Sequence, residues 1–326
     1  MKGRLSALAV AVVLVVGSFL IRREVIDGDD EGTSNEQVDE LVCITELADV
    51  CAVYAAGDQS VNVTIEDAGV TLDRLAALGP DADAPLWLTV EPYPAMVDAL
   101  RAGARAEPLG YTASALGASQ LGVALPPDGR LDVLIAACDG QPLWRCLGTN
   151  AGTPWSELGG EASWGTVRPA LGDVNESALG LTSFAASVGG YFNDPDITRS
   201  RWENDPAFIP WLDGLADTSS GVSLSGGSAL GTMATRPSAL DVAATAGFEL
   251  AEVDADSQRF TRNYPAPEMW LQAVLAGPGG AAPGDLAGRL TEQLRTSGWD
   301  DAATAATPVP SASTMLALRS YWNDAV

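Results

Sequence analysis

Short apolar runs alternate with segments of helical periodicity from residue 40 onward. Three runs rich in Val, Leu and Ile predict buried strands, at 40–45, 61–66 and 85–90. Each run is followed by a segment whose apolar residues recur at helical spacing, which predicts helices at 47–56, 71–78 and 94–102. Strands and helices in this alternation are typical of a parallel α/β sheet with right-handed crossovers.

The regular alternation of strands and helices ends after a fourth predicted strand, 121–125, which stops before Pro126 and Pro127. Beyond it the pattern predicts strands at 165–171, 239–244 and 259–264, and helices at 177–192, 206–215, 284–297 and 311–322. Asp173, Asn175 or Ser177 would cap the helix 177–192, because a polar side chain just before an apolar helical face can accept from a free backbone N–H. The α/β class therefore extends to the end of the chain.

The N-terminus carries an export segment. Positive charge at Met1–Arg4 precedes 17 uncharged residues, Leu5–Ile21, and Arg22 and Arg23 follow. That length lies between a signal-peptide core and a full membrane span, so residues 1–23 are either an uncleaved anchor or a cleaved signal peptide. Residues 24–39 are acidic and polar and predict a flexible linker. The domain is expected outside the cell membrane on a single N-terminal span, or secreted.

Four cysteines form two pairs with the same seven-residue gap, at positions 43, 51, 138 and 146. An exported chain with an even number of cysteines implies disulfide bonds. Three pairings are possible. We favour Cys43 with Cys51 and Cys138 with Cys146, because each closes a small loop between adjacent elements. The first bond would join a strand to the helix after it.

Charge and composition exclude several classes of function. Among 326 residues, 43 are acidic and 18 basic, for a formal net charge of −25. Nucleic acid would be repelled, and an anionic lipid surface is disfavoured for the same reason, so any membrane contact is expected through the N-terminal segment only.

The absence of histidine and the near absence of lysine exclude much catalytic chemistry. The chain has no His, and Lys2 is its only lysine. Ser-His-Asp triads, histidine-ligated metals, P-loop lysines and Schiff-base lysines are therefore ruled out of the folded region. A carboxylate pair of glycosidase type remains chemically open, but no spacing marks one. The sequence predicts a protein that is not an enzyme and needs no cofactor or metal.

One segment carries a family resemblance. The stretch WGTVRPALGDVNESALGLTSFAASVGGYF, 164–192, resembles the second-lobe segment of bacterial extracellular solute-binding proteins of the type 2 periplasmic binding fold. Residues 61–78 and 86–100 look like strand–helix units of that family's first lobe. The resemblance implies two α/β lobes, each a mainly parallel sheet flanked by helices. Lobe one would comprise 40–120 plus 260–326, and lobe two 121–259.

In such a fold, two lobes rotate about a hinge and close around a small solute. Solutes bind at the carboxyl ends of strands, where helix N-termini present free N–H groups. That rule, applied to the predicted strands, selects Thr45, Glu46, Thr71, Glu91, Tyr93, Asn175, Ser177 and Thr245 as ligand-binding residues, with Asp67 and Gly69 beside them. Carboxylates such as Glu46 and Glu91 would disfavour an anionic solute and suit a cation, an amine or a sugar hydroxyl.

The resemblance implies solute capture, with delivery to a membrane permease for ABC-type import as one use. The nearest cysteine after the export segment is Cys43, which is too distant for the lipid anchor of many importer-linked relatives. The alternative is therefore a cell-envelope domain that binds a protein partner, or is structural, and keeps the fold without a solute site. Thr71, Asn175 and Ser177 are good helix caps under either hypothesis.

Overall fold

The computed structural model describes residues 39–57, 61–80, 82–222, 224, 227–256, 258–278, 284–305 and 309–325. The predicted export segment and all of the predicted linker except residue 39 lie outside these ranges. Within them, no helix is both long enough and apolar enough to cross a membrane.

Eight strands of the described chain form a mixed sheet in the order β2-β1-β3-β8-β4-β6-β5, with β7 also paired to β4. Most of the strand residues are apolar and buried, as the short apolar runs predict. The strands are β1 (Asp39–Ile44), β2 (Val61–Glu66), β3 (Leu86–Val90), β4 (Tyr111–Leu125), β5 (Pro169–Ala170), β6 (Val242–Ala246), β7 (Thr261–Asn263) and β8 (Trp270–Pro278).

Twelve α-helices of the described chain flank the sheet. Their bounds are α1 (Ala48–Gly57), α2 (Ala68–Ala76), α3 (Tyr93–Gly103), α4 (Arg130–Cys138), α5 (Leu143–Asn150), α6 (Ala178–Phe192), α7 (Arg199–Glu203), α8 (Phe208–Ser220), α9 (Ala229–Thr235), α10 (Gly247–Val253), α11 (Gly284–Thr296) and α12 (Ala312–Ala325). The predicted α/β class is confirmed. The expected strands and helices recur with small shifts, except that the strand predicted at 165–171 contracts to β5.

The expectation of mainly parallel sheets requires correction. Pairings β1–β2, β1–β3 and β5–β6 are parallel, whereas β3–β8, β4–β8, β4–β6 and β4–β7 are antiparallel. Strand β8 returns from the C-terminal part of the chain and inserts antiparallel between β3 and β4, and β4 in turn runs antiparallel to β6 and β7. Periodicity did not indicate β8, nor the first ten residues of β4, which are mostly small or polar.

The 15-residue strand β4 divides the sheet into two segments. Its residues Tyr111–Gln120 pair with β8, and its residues Leu121–Leu125 pair with β6 and β7. We call β2, β1, β3, β8 and the first part of β4 the large sheet segment, and β5, β6, β7 and the last part of β4 the small sheet segment. One continuous strand thus supports both.

Helix α6 is the most enclosed helix near the sheet. All of its residues from Ala178 to Tyr191 are buried, so it lacks the amphipathic pattern of a surface helix. Phe184 contacts Trp322 of α12 edge-to-face, with ring centroids 5.1 Å apart. Because large aromatic contacts dominate core energetics, this packing holds α6 and therefore holds the position of its N-terminus.

Both favoured disulfides are present. Cys43 of β1 is bonded to Cys51 of α1, and Cys138 at the end of α4 is bonded to Cys146 of α5. The first joins a strand to the following helix, as predicted from the local pairing. Each bond restricts the unfolded chain, which typically stabilises the native state by about 2 to 4 kcal/mol.

Candidate functional site

A cleft of about 840 Å³ opens where the carboxyl ends of β1 and β2 approach the N-termini of α6, α9 and α10. Its wall combines carboxylates, hydroxyls and a few apolar side chains. The lining residues are Thr45, Glu46, Ala48, Asp49, Val50, Asp67, Asp173, Glu176, Ser177, Leu179, Gly227, Ser228, Phe248, Glu249, Ala251, Glu252, Arg295, Thr296, Ser297, Gly298 and Trp299.

The start of α6 is built by a tight polar turn. The carboxylate of Asp173 accepts from the backbone N–H groups of Asn175 and Glu176, at 2.9 and 3.1 Å. Ser177 is the N-cap, and its Oγ accepts from the N–H of Gly180 at 3.0 Å. A Cβ on Gly180 would lie 2.2 Å from the backbone oxygen of Asp173, so only glycine fits there. The predicted helix start at Ser177 is confirmed.

Glu46 reaches the N-terminus of α6 from the large sheet segment. The Ser177 hydroxyl donates to Glu46 Oε1 at 2.7 Å, and the backbone N–H of Leu179 donates to the same oxygen at 3.0 Å. Glu46 Oε2 is enclosed and has no hydrogen-bond partner among the described residues. Burial raises the pKa of Glu46, and the hydrogen bonds from Leu179 and Ser177 partly oppose that rise.

Glu249 forms a similar arrangement at the start of α9. The Ser228 hydroxyl donates to Glu249 Oε1, and the Thr245 hydroxyl donates to Oε2 at 2.7 Å. Ser228 is the N-cap of α9 and accepts from Gly231 N–H at 2.8 Å. Burial raises the pKa of Glu249 to about 7, opposed by the two hydroxyls and assisted by the charges of Glu252 and Glu46.

The charge of the cleft is strongly negative. Arg295 contributes positive charge to the lining, and its guanidinium is already bonded to the Glu292 carboxylate at 2.6 Å. The lining carboxylates are Glu46, Asp49, Asp67, Asp173, Glu176, Glu249 and Glu252. Because like charges surround the cleft, its potential favours positive solutes.

An apolar patch lies beside these carboxylates. Phe248 and Trp299 stack with ring centroids 4.7 Å apart and an angle of 13° between their planes. Val50 and Leu179 also line the cleft. Mostly apolar walls with a few placed polar groups are usual for sites that hold small organic molecules.

Three of the eight predicted ligand-binding residues line this cleft: Thr45, Glu46 and Ser177. Asp67 also lines it and accepts from the Thr45 hydroxyl. Thr245 is fully buried and contacts the lining residue Glu249 from behind. Asn175 precedes the cap of α6, and its Oδ1 is buried without a partner among the described residues.

The other three predicted residues lie away from the cleft lining. The Thr71 hydroxyl donates to Glu66 at 2.7 Å, so it completes a contact within the large sheet segment. Tyr93 is buried against Trp87, with their rings edge-to-face and centroids 6.1 Å apart. Glu91 is partly buried beyond the end of β3, and burial raises the pKa of its carboxyl.

Several lining residues were not selected from sequence. The most informative is Ser228, since Ser228–Gly231 repeats the tetrapeptide SALG that starts α6 at Ser177–Gly180. A search for that repeat would have found the second serine cap. No comparable signal marks Glu249, Glu252 or residues 295–299, because only the fold brings them to the cleft.

No protein-family model matches the chain, and no curated protein matches it either. Solved structures of other proteins do match the chain. The periplasmic binding protein AfuA from Actinobacillus pleuropneumoniae, with fructose-6-phosphate bound, aligns with a TM-score of 0.54 at 13% identity, covering 88% of this chain and 98% of AfuA. An ABC transporter protein from Clostridium perfringens aligns with a TM-score of 0.50 at 10% identity, covering 88% of this chain and 98% of that one. The chain has a type 2 periplasmic-binding-protein-like fold.

Proposed function

We propose that this protein is an exported solute-binding protein that captures a small solute in the cleft. The two lobes are proposed at 40–120 plus 260–326 and at 121–259, moving about the long strands β4 and β8. Support comes from the division of the sheet along β4, whose residues Tyr111–Gln120 pair with β8 and whose residues Leu121–Ala124 pair with β6.

The observation that carries the proposal is the composition of the cleft wall. Thr45, Glu46 and Asp67 line it from proposed lobe one, whereas Ser177 and Glu249 line it from proposed lobe two. A solute there would contact both lobes, so its binding energy would favour the closed arrangement over the open one. The cleft volume of about 840 Å³ suits a metabolite-sized molecule.

The test combines calorimetry with small-angle X-ray scattering on the purified protein. A panel of amines, sugars, anions and metal ions is titrated, and scattering is recorded with and without each binder. Capture predicts at least one ligand with a 1:1 stoichiometry and a smaller radius of gyration when it is bound. A panel with no binder and no change in scattering would contradict the proposal.

A second function, an envelope domain that binds a protein partner and has no solute site, is favoured by one observation. Glu46 of proposed lobe one bonds the start of α6, and Gly69 N–H donates to the Glu176 carbonyl at 2.9 Å. These contacts join the two proposed lobes by themselves. Scattering that stays unchanged with every ligand, and after Glu46→Ala, would favour this reading.

Export through residues 1–23 is part of the proposal, with the domain outside the cell membrane. The two disulfides fit an oxidising compartment. The mass of the protein recovered from membranes and from medium distinguishes a retained anchor from a cleaved signal peptide. Delivery to a permease is tested by co-purification from crosslinked membranes.

A further inference from the structure

We infer that the cleft selects organic cations bearing an ammonium group, and that Glu46 excludes oxyanions by occupying the N-terminus of α6 with its own carboxylate. This inference rests on the proposed solute capture. It names the chemical class of the solute and one residue, Glu46, that contributes to the selection.

The first step concerns the helix end. The N-terminus of a long helix carries free N–H groups and a positive partial charge, which attract sulfate, phosphate or carboxylate. Helix α6 has 15 residues, and Oε1 of Glu46 accepts from Leu179 N–H at 3.0 Å and from the Ser177 hydroxyl at 2.7 Å. The donors that would hold an oxyanion are therefore already used, and any incoming anion must displace Glu46.

The second step concerns charge. Asp49, Asp67, Asp173 and Glu176 line the cleft around the Glu46–α6 contact. An oxyanion would have to approach these carboxylates, whereas an ammonium group would be attracted by them. The occupied N-terminus of α6 and the negative charge of the lining both favour a cation, so the preference does not depend on one residue alone.

The third step is an unmet hydrogen bond. Glu46 lines the cleft, and its Oε2 is enclosed with no partner among the described residues. A buried acceptor without a donor costs free energy, and the cost is greater for a charged group. Because Oε2 is enclosed, an ammonium N–H would reach it only after a small rotation of the Glu46 side chain toward the cleft, and would then form a charge-assisted hydrogen bond.

The fourth step is the presence of apolar wall. Val50, Leu179, Phe248 and Trp299 line the same cleft, which has a volume of about 840 Å³. Each of these side chains is less than a tenth exposed, and Phe248 and Trp299 stack on each other, so their exposed edges add a small apolar contact for hydrocarbon. The wall therefore fits an ammonium group on a carbon skeleton better than a small hydrated ion.

The experiment titrates wild-type protein with matched probes. Choline, spermidine and arginine represent organic cations, glucose is the neutral probe, and sulfate and inorganic phosphate are the anions. We expect at least one cation to bind and both anions to give no heat. Glu46→Gln keeps an acceptor for Ser177 and Leu179 but removes the charge, and should weaken the cation by about tenfold, the equivalent of 1.4 kcal/mol. Glu157→Gln, at an exposed position outside the cleft, should change nothing.

Two further variants distinguish a direct role of the lining carboxylates in solute selection from a purely structural role, because a structural role would not change the affinities in the expected direction. Glu46→Ala frees the start of α6, so its affinity for sulfate should rise above that of the wild type, although the remaining lining carboxylates still oppose an anion. Asp49→Asn removes charge at an exposed lining position and carries little folding risk. It should weaken the cation by about two- to threefold, as expected for an exposed charge worth under 1 kcal/mol.

Different outcomes contradict the preference for cations and the proposed solute capture. Binding of glucose, sulfate or phosphate to wild type, with no binding of any cation, would overturn the cation assignment and leave solute capture standing. Equal cation affinity in wild type, Glu46→Gln and Asp49→Asn would also overturn it. No binding by any probe, with unchanged scattering, would overturn solute capture and this inference together.

Discussion

The two serine-capped helix starts in the cleft use the same tetrapeptide in different ways. Ser177 and Ser228 each accept from the glycine three residues later, at 3.0 and 2.8 Å, and each donates to a glutamate, which is partly buried at Glu46 and buried at Glu249. At α6 that glutamate is Glu46, 131 positions away in sequence and on the large sheet segment. At α9 it is Glu249, 21 positions away on the neighbouring helix α10. One contact links distant parts of the chain, and the other is local.

The donors of the two glutamates also differ. Glu46 accepts from a backbone N–H at the start of a 15-residue helix, where the helix dipole favours negative charge. The hydroxyl groups of Ser228 and Thr245 donate to Glu249, which lies near the charges of Glu252 and Glu46. Burial raises the pKa of both glutamates, so the same capping motif holds a buried carboxyl group in each place although the donors to that group differ.

The largest expected difference between the two helix starts is steric. In Gly180→Ala the new Cβ would lie 2.2 Å from the Asp173 backbone oxygen, whereas in Gly231→Ala the nearest atom is Ser228 Oγ at 3.1 Å. We expect Gly180→Ala to lower the free energy of unfolding by about 3 kcal/mol and Gly231→Ala to change it by less than about 1 kcal/mol. Urea denaturation followed by tryptophan fluorescence measures both. Equal losses would show that the two turns are equally tight.

The second prediction concerns pH. The carboxyl of Glu249 titrates near 4.5 when unfolded, and burial raises its folded pKa to about 7. Between these values the folded state holds a proton that the unfolded state has released, so this group's contribution to stability falls as pH rises from about 4.5 to about 7. The full penalty, on the order of 3 kcal/mol, is present above that range.

Glu249→Gln removes the titrating carboxyl and therefore isolates its contribution to the pH dependence of stability. Relative to wild type, we expect the variant to be more stable by about 2 kcal/mol at pH 8 and unchanged near pH 4.5. Denaturation midpoints across that pH range give the difference curve, and Glu157→Gln is the matched control. A difference between Glu249→Gln and wild type that is independent of pH would contradict the assignment.

The smallest expected effects come from the caps themselves. Ser177→Ala and Ser228→Ala each remove one N-cap acceptor, which typically costs about 1 kcal/mol. Ser228→Ala also removes a donor that lowers the pKa of Glu249, so it should move the pH-dependent fall in stability to higher pH. Ser177→Ala should leave that midpoint in place. Parallel denaturation series for the two variants test whether the capping contacts are independent.

The tetrapeptide SALG also shows how far local sequence determines local structure. It occurs at 114–117 as well as at 177–180 and 228–231. At 114–117 it lies within β4, where the register against β8 shifts between Ala115 and Gly117. The same four residues therefore form a bulged strand in one place and a helix start in two others. Pairing with β8 decides the first case, since short segments have weak intrinsic preferences.

Periodicity was sufficient for elements whose burial follows a simple pattern. The strands β1, β2 and β3 and the helices after them were predicted from residues close together in sequence, and Ser177 was one of three cap candidates for α6. The first ten residues of β4 and all of β8 were missed. Their pairing joins residues such as Gln120 and Trp270, which no window of a dozen residues can contain.

Composition and neighbouring residues are enough to indicate the α/β class, the excess of negative charge and the lack of imidazole chemistry, and to favour the two local disulfides among three possible pairings. Which carboxylates meet depends on the fold. In the sequence Glu46 cannot be told from a surface acid, and the fold places it against Ser177. Glu249 has no distinguishing mark in the sequence either, and its burial in the fold raises its pKa. Burial and contact are properties of residues brought together from distant positions, and the chemistry of the cleft depends on them.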